Sequence, residues 1–333
     1  MEIKKINRLM VGIFLLHIVT GFVFLAFAEK ITIGVILNLS LGQILLLAPA
    51  LVYLLCWKIS NKVVVEEAPE NGFVEEMLAR REKITLKERL RYHKIRPSTM
   101  VYILFYVWLT MPLTTVINAT SMFFTDNTIV EMTDMILGVP FPVMLFIMAV
   151  MPAVIEELIF RGIVYSGYRK VGTKFMSVML SAFLFGVMHG NLNQALYAFV
   201  LGVFLALLVE ATGSLFSSML FHFIYNAQSC FLMFALEAIQ PGYYTDSVNM
   251  TMGADQLLTV LSVYLIIAAV TTPLAFCMLY KVAKNENRTA ELLECLPKKQ
   301  TGRKSLITPA FVIAAIISVG NIVFDMVLRA MVK

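Results

Sequence analysis

Two adjacent carboxylates lie inside a long apolar run of this sequence. Glu156 and Glu157 follow a stretch without any charged residue, residues 140–155, and Arg161 comes four positions after Glu157. Ionisable groups at membrane depth are costly, face the protein interior and usually mark function. The pair therefore predicts a functional site within a membrane helix.

The two carboxylates are expected to differ in their partners. Glu157 and Arg161 are four residues apart on the presumed helix, with the acid on the N-terminal side, which favours an ion pair on one face. Glu156 is rotated by about 100° from Glu157. The residues three and four positions before and after Glu156 are all uncharged. Its partner must therefore come from another helix.

Three further polar side chains occur in later apolar segments. His189 and His222 each follow an apolar run, and Asn226 lies four residues after His222 on the same helical face. An unpaired polar group in hydrocarbon costs several kcal/mol. We therefore predict that Glu156 and these three side chains converge on one polar cavity. His17, in the first apolar segment, is interpreted as a buried histidine paired with a carbonyl or hydroxyl group.

The composition defines the class of protein that must position these groups. The chain of 333 residues is 59% apolar and 15% charged, with a mean hydropathy of +0.81. Soluble domains are about 25% charged, so the sequence predicts an integral membrane protein whose partner is the lipid bilayer. The net charge of +5 is explained by basic residues in cytoplasmic loops, so no nucleic-acid partner is expected. The four cysteines lack metal-ligand spacing and are expected to be reduced thiols.

Hydropathy predicts an all-α, polytopic membrane protein of about eight to nine transmembrane helices with a polar intramembrane cavity. The first span is expected to be uncleaved, because no clear small-x-small site follows it. The predicted spans are 9–27, 32–57, 99–122, 140–165, 174–190, 194–212, 215–236, 256–280 and 306–328.

Loop charges predict the orientation. The basic segments 58–98, 161–174 and 281–305 alternate with the acidic segments 125–137 and 237–255. The positive-inside rule then places the N-terminus in the cytoplasm, and we expect a bacterial plasma membrane. Within 58–98, residues 75–90 are expected to form an amphipathic helix, either solvated or resting on anionic lipid.

The chain is divided into four parts on this basis. They are an N-terminal transmembrane hairpin, 1–57; a charged cytoplasmic segment, 58–98; a transmembrane core, 99–280; and a basic loop with a last helix, 281–333.

Three motifs, ordered along the chain and on separate helices, carry a family resemblance. Glu156-Glu157-x-x-x-Arg161, Phe185-x-x-x-His189 and His222-x-x-x-Asn226 resemble the motifs of the CAAX-protease and bacteriocin-processing (type II CAAX prenyl endopeptidase, or abortive-infection) family. The resemblance covers residues 136–236. It implies an all-helical intramembrane endopeptidase acting on a membrane-proximal, lipidated or leader peptide.

The resemblance also implies a role for each residue. Glu156 would be the general base that activates water, and His189 would hold that water. His222 and Asn226 would stabilise the oxyanion of the tetrahedral intermediate. Glu157, Arg161 and Phe185 would support the site.

The need for a cofactor is left open by the residue types. Glu156, His189 and His222 could together bind zinc or another divalent metal. The HExxH pattern is absent and the groups are scattered along the chain, so a metal-free mechanism is favoured.

Two other functions fit part of the pattern. A non-catalytic bacteriocin-immunity or scaffolding protein of the same family would keep the polar cluster for folding or partner binding. A proton-coupled transporter would use it as a relay, although no repeated halves are evident.

The predicted depths of the two histidines in the membrane differ and need an explanation. His189 would lie roughly 22 Å into its span but His222 only about 12 Å. A later start of the fifth span, a tilt or a tall cavity would resolve this.

Overall fold

The computed structural model describes residues 2–27, 32–66, 85–127, 130, 132–243, 253–297 and 304–332. Within these ranges every regular element is helical and no strand occurs. The helices are α1 Glu2–Phe27, α2 Thr32–Glu66, α3 Leu86–Arg89, α4 Pro97–Ser121, α5 Thr133–Leu137, α6 Phe141–Tyr168, α7 Lys174–Val187, α8 Leu192–Thr212, α9 Leu215–Ile239, α10 Ala254–Asn285, α11 Thr289–Leu293 and α12 Pro309–Val332.

Among the described helices, eight are long and apolar enough to cross a membrane: α1, α2, α4, α6, α8, α9, α10 and α12. This confirms the predicted all-α polytopic membrane fold. The four cysteines are free thiols, as expected. Outside the spans, burial raises the pKa of the Cys295 thiol to about 12, which keeps it protonated at neutral pH.

The fifth predicted span, 174–190, is wrong in its length. Helix α7 begins at Lys174 as expected, but it has only 14 residues and ends at Val187. His189 therefore lies in the turn beyond the helix. The turn is completed by Gly190, whose φ of 73° favours glycine, and by Asn191, whose side chain accepts from Gln194 N at 2.8 Å and caps α8.

Helix α1 begins earlier than residue 9 because its first turns are anchored inside the protein. Asn7 is fully buried, and its Nδ2 donates to Leu306 O at 3.1 Å and to Thr308 Oγ1 at 2.8 Å. The Tyr168 hydroxyl donates to Asn7 in turn. These bonds tie the start of α1 to the end of α6 and to the start of α12.

The basic segments meet at one end of the molecule, which we call the basic face (residues 85–96, 169–174 and 286–297). Glu210, at the end of α8, is fully buried there. Its carboxylate lies 2.5 Å from Arg91 Nη1, 2.7 Å from Arg169 Nε and 3.1 Å from Lys174 Nζ. The last residues of α8 thus hold two basic loops together by ion pairs.

The predicted amphipathic helix 75–90 falls largely on residues 67–84, which lie outside the described residues. What is described is the single turn α3, Leu86–Arg89, which Thr85 caps. Thr85 Oγ1 accepts from Glu88 N at 3.2 Å, and Glu88 Oε2 accepts from Thr85 N at 2.7 Å. This reciprocal pair is a capping box, which satisfies two backbone N–H groups at the start of the turn.

Candidate functional site

A cavity of about 580 Å³ lies between α1, α2, α4, α6, α8 and α9 and the turn after α7. Its polar lining includes all four predicted catalytic side chains, Glu156, His189, His222 and Asn226. The remaining lining combines polar side chains, such as Thr20, Gln43 and Asn118, with apolar ones. The apolar ones include four methionines: Met132, Met148, Met188 and Met233. The structure therefore brings the four residues to one cavity, as the cost of burying each alone predicted.

Helix α6 presents the two carboxylates on a backbone that changes its winding. Residues Phe146–Val150 and Leu158–Tyr165 are π-helical, and the α-helical turns Met151–Glu157 lie between them. π-Helical turns are rare and are found frequently at functional sites. Glu156 and Glu157 thus end the α-helical part, immediately before the second π-helical segment.

Glu156 is buried, with 5% of its surface exposed. Its Oε1 accepts a hydrogen bond from Gln43 Nε2 of α2 at 2.8 Å. Its Oε2 lies 4.0 Å from His222 Nε2, which is too long for a direct hydrogen bond. One carboxylate oxygen is therefore fixed, and the other faces an imidazole nitrogen across a gap.

Glu157 and Arg161 form the ion pair that their spacing predicted. Arg161 Nη1 lies 2.7 Å from Glu157 Oε1, and both side chains are at most 1% exposed. Arg161 Nη2 also donates to Gly202 O at 3.2 Å. The guanidinium lies over the Phe185 ring, with Cζ 4.3 Å from the centroid. The pair thus joins α6 to α7 and α8.

His222 is hydrogen-bonded to Glu157 rather than to Glu156. Its Nδ1 is 3.0 Å from Glu157 Oε1. A carboxylate paired with an arginine is ionised and can only accept, so Nδ1 carries the proton. In the neutral ring Nε2 then has a lone pair aimed towards Glu156. The hydrogen-bond partner of Glu156 comes from another helix, as expected, but it is Gln43 of α2.

His189 is held by the end of its own helix. Its Nδ1 lies 3.0 Å from Phe185 O, and since a carbonyl only accepts, Nδ1 is again the protonated nitrogen. The Phe185 ring meets the His189 ring edge-on at 5.2 Å and the His222 ring at 6.0 Å. Phe185 therefore packs against both histidines.

A later start of the fifth span does not explain the depth of His189, because α7 begins at Lys174 and is short.

Asn226 is tied to α6 through its amide. Its Nδ2 donates to Met148 O at 3.0 Å, within the first π-helical segment. A primary amide has two N–H groups, so one hydrogen fixes the side chain and the second can donate to a group within the cavity.

Gln43 and His17 are among the lining residues that the sequence did not mark as part of the site. Gln43 was not singled out, and His17 was interpreted as an ordinary buried histidine. His17 lines the cavity and lies within electrostatic range of His189 and Glu156. The signal for Gln43 was present, because it is a lone polar amide in the apolar run 41–52 of α2. Such a residue inside a membrane helix requires a partner.

The residue set considered above for a metal ion is Glu156, His189 and His222. Within the described residues no three His, Cys, Asp or Glu side chains are grouped so that they could hold one. Both histidines use Nδ1 for a protein contact, and Glu156 Oε1 is bonded to Gln43. Metal-ligating histidines commonly bond their second ring nitrogen in the same way. The metal-free mechanism therefore stays a prediction.

Comparison with known proteins identifies the segment that carries the site. Residues 138–228 match a family model described as type II CAAX prenyl endopeptidase Rce1-like. The match agrees with the resemblance carried by the three motifs, all of which lie within the matched segment. No curated protein and no solved structure matches the chain.

Proposed function

We propose that this chain is an intramembrane endopeptidase in which Glu156 activates a water molecule to hydrolyse a peptide bond. The observation that carries the proposal is the gap of 4.0 Å between Glu156 Oε2 and His222 Nε2, inside the cavity. The substrate is a membrane-proximal peptide, lipidated or of the leader type. The basic face would lie in the cytoplasm of a bacterial cell.

The gap has the width that one bridging water requires. A water oxygen about 2.8 Å from each atom would have its two hydrogen-bond directions roughly 90° apart. Glu156 Oε2 and neutral His222 Nε2 both accept, so this water would donate both of its hydrogens. Its lone pairs then remain free to attack a carbonyl carbon. The resemblance gives the water-holding part to His189; we assign it to His222 because of this distance.

The reaction follows from these positions. The water oxygen bonds to the carbonyl carbon while its proton passes to Glu156 Oε2. The carbonyl oxygen becomes an oxyanion, which the second N–H of Asn226 stabilises. Glu156 then gives its proton to the leaving nitrogen, the C–N bond breaks, and a carboxyl and an amine product form. His189 Nε2, an acceptor in the same cavity, would hold an N–H group of the peptide.

The test is cleavage of a peptide library by the purified protein and by Glu156→Gln and His222→Ala. We expect a loss of turnover of at least 100-fold for Glu156→Gln, because amide replaces the base. Turnover should persist in the presence of a metal chelator. Equal cleavage by all three proteins would contradict the assignment. Loss of cleavage by the chelator would contradict the metal-free mechanism.

A further inference from the structure

We infer that Gln43 is a positioning residue for Glu156, so that the N-terminal hairpin of α1 and α2 forms part of the active site. This inference rests on the proposed function of Glu156. It extends the site beyond residues 138–228, because Gln43 lies outside the segment that the family model matches. The direct observation is the bond of 2.8 Å from Gln43 Nε2 to Glu156 Oε1.

The hairpin is packed where this contact requires it. Helix α2 contacts α6 along residues 146–165, which include both carboxylates. Gln43 and Leu46 of α2 line the cavity, as do His17 and Thr20 of α1. The bond is thus part of a helix interface that closes one side of the cavity.

The bond determines the orientation of the base. The terminal torsion of a glutamate is broad, so its two oxygens are not fixed by the rotamer alone. An N–H bond to Oε1 holds the carboxylate plane and leaves Oε2 facing His222 Nε2 at 4.0 Å. Without the donor, rotation about this torsion would move Oε2 away from the bridging water. Gln43 thus acts on the reaction through Glu156 and does not touch the reacting atoms.

The amide of Gln43 does not belong to a larger hydrogen-bond network among the described residues. Its Oε1 is buried and has no hydrogen-bond partner among the described residues. If the amide were turned over, Oε1 would lie against the Glu156 carboxylate, and two acceptors would face each other. The contact with Glu156 therefore selects the orientation in which Nε2 donates to the base.

The experiment uses the full-length protein in detergent, with the fluorogenic library peptide that the native protein cleaves fastest. Gln43→Met keeps the length of the side chain but removes the donor. Gln43→Leu removes both polar atoms of the amide. The matched control is Gln228→Met in α9. Gln228 Oε1 accepts from Trp108 Nε1 at 2.9 Å, and the Gln228 side chain does not line the cavity. Glu156→Gln is measured in parallel, and thermal unfolding establishes that each variant is folded.

We expect both Gln43 variants to lose 10- to 100-fold in kcat, which is the range for one hydrogen bond to a charged group. Their KM should stay within about threefold of the native value, because no contact with substrate is removed. Gln228→Met should retain native kcat. Native kcat for Gln43→Met would overturn the inference while leaving the function intact, provided that Glu156→Gln is inactive. A rise in KM alone would also overturn it, since Gln43 would then bind substrate. Native cleavage by Glu156→Gln, or none by the native protein, would overturn both.

Discussion

At the scale of single residues, Glu156 and Glu157 are neighbours in sequence with separate tasks. Glu157 Oε1 is paired with Arg161 Nη1 and with His222 Nδ1. It therefore sets the tautomer of the histidine that faces Glu156. The local spacing predicted the ion pair with Arg161. It could not predict the bonds from His222 and Gln43, because these depend on the packing of α9 and α2 against α6.

The Glu157–Arg161 pair should be a strong contributor to folding. Arg161→Ala would leave a carboxylate buried without its cation, and breaking a buried pair costs about 3–5 kcal/mol. We expect a marked fall in the thermal unfolding temperature. Arg329→Ala is the control, because Arg329 and Asp325 have the same spacing at 2.9 Å but are partly exposed. That change should cost about 0–1 kcal/mol. Unchanged stability of Arg161→Ala together with lost turnover would instead place Arg161 in catalysis.

At the scale of helices, α7 and α8 bring His189 to the cavity through close backbone packing. Gly202 of α8 lies against Ala182 of α7, where a Cβ would be 3.0 Å from the alanine Cα. Gly186 of α7 lies against the backbone of α8. Small residues allow membrane helices to approach in this way. Hydropathy alone could predict that these segments are helices but not how short α7 is, because it does not register the turn that Gly190 and Asn191 make.

Gly186 provides a test of this packing. A Cβ at Gly186 would be 2.6 Å from Ala195 O and 3.0 Å from Phe199 Cβ, so Gly186→Ala must push α7 away from α8. Overpacking of this kind costs typically about 1–3 kcal/mol. The control is Gly320→Ala in α12, where a Cβ meets nothing within 4 Å. There alanine should stabilise the helix by up to about 1 kcal/mol. Equal unfolding temperatures for the two variants would show that the α7–α8 contact is not close in solution.

At the scale of the whole molecule, the loop charges predict which loops lie together as well as the orientation of the chain in the membrane. The segments 58–98, 161–174 and 281–305 were grouped on one side by their Lys and Arg content alone. In the described parts of these segments, Arg91, Arg169 and Lys174 do meet, around Glu210. Glu210 itself could not be found from the sequence, because a single acid at the end of an apolar helix is typical of a solvated terminus.

Glu210 should therefore be essential for the assembly of the basic face. Its side chain is fully buried, and Arg288 Nε also donates to its backbone oxygen at 3.0 Å. Glu210→Gln would leave three neighbouring cations without their carboxylate, so a loss of about 3–5 kcal/mol is expected. Limited proteolysis should then cut within 85–96 and 286–297 faster than in the native protein. The control is Glu291→Gln on the same face, whose pair with Arg288 at 3.2 Å is partly exposed and worth about 0–1 kcal/mol. Native protease resistance in Glu210→Gln would mean that apolar contacts, rather than this carboxylate, hold the basic loops together.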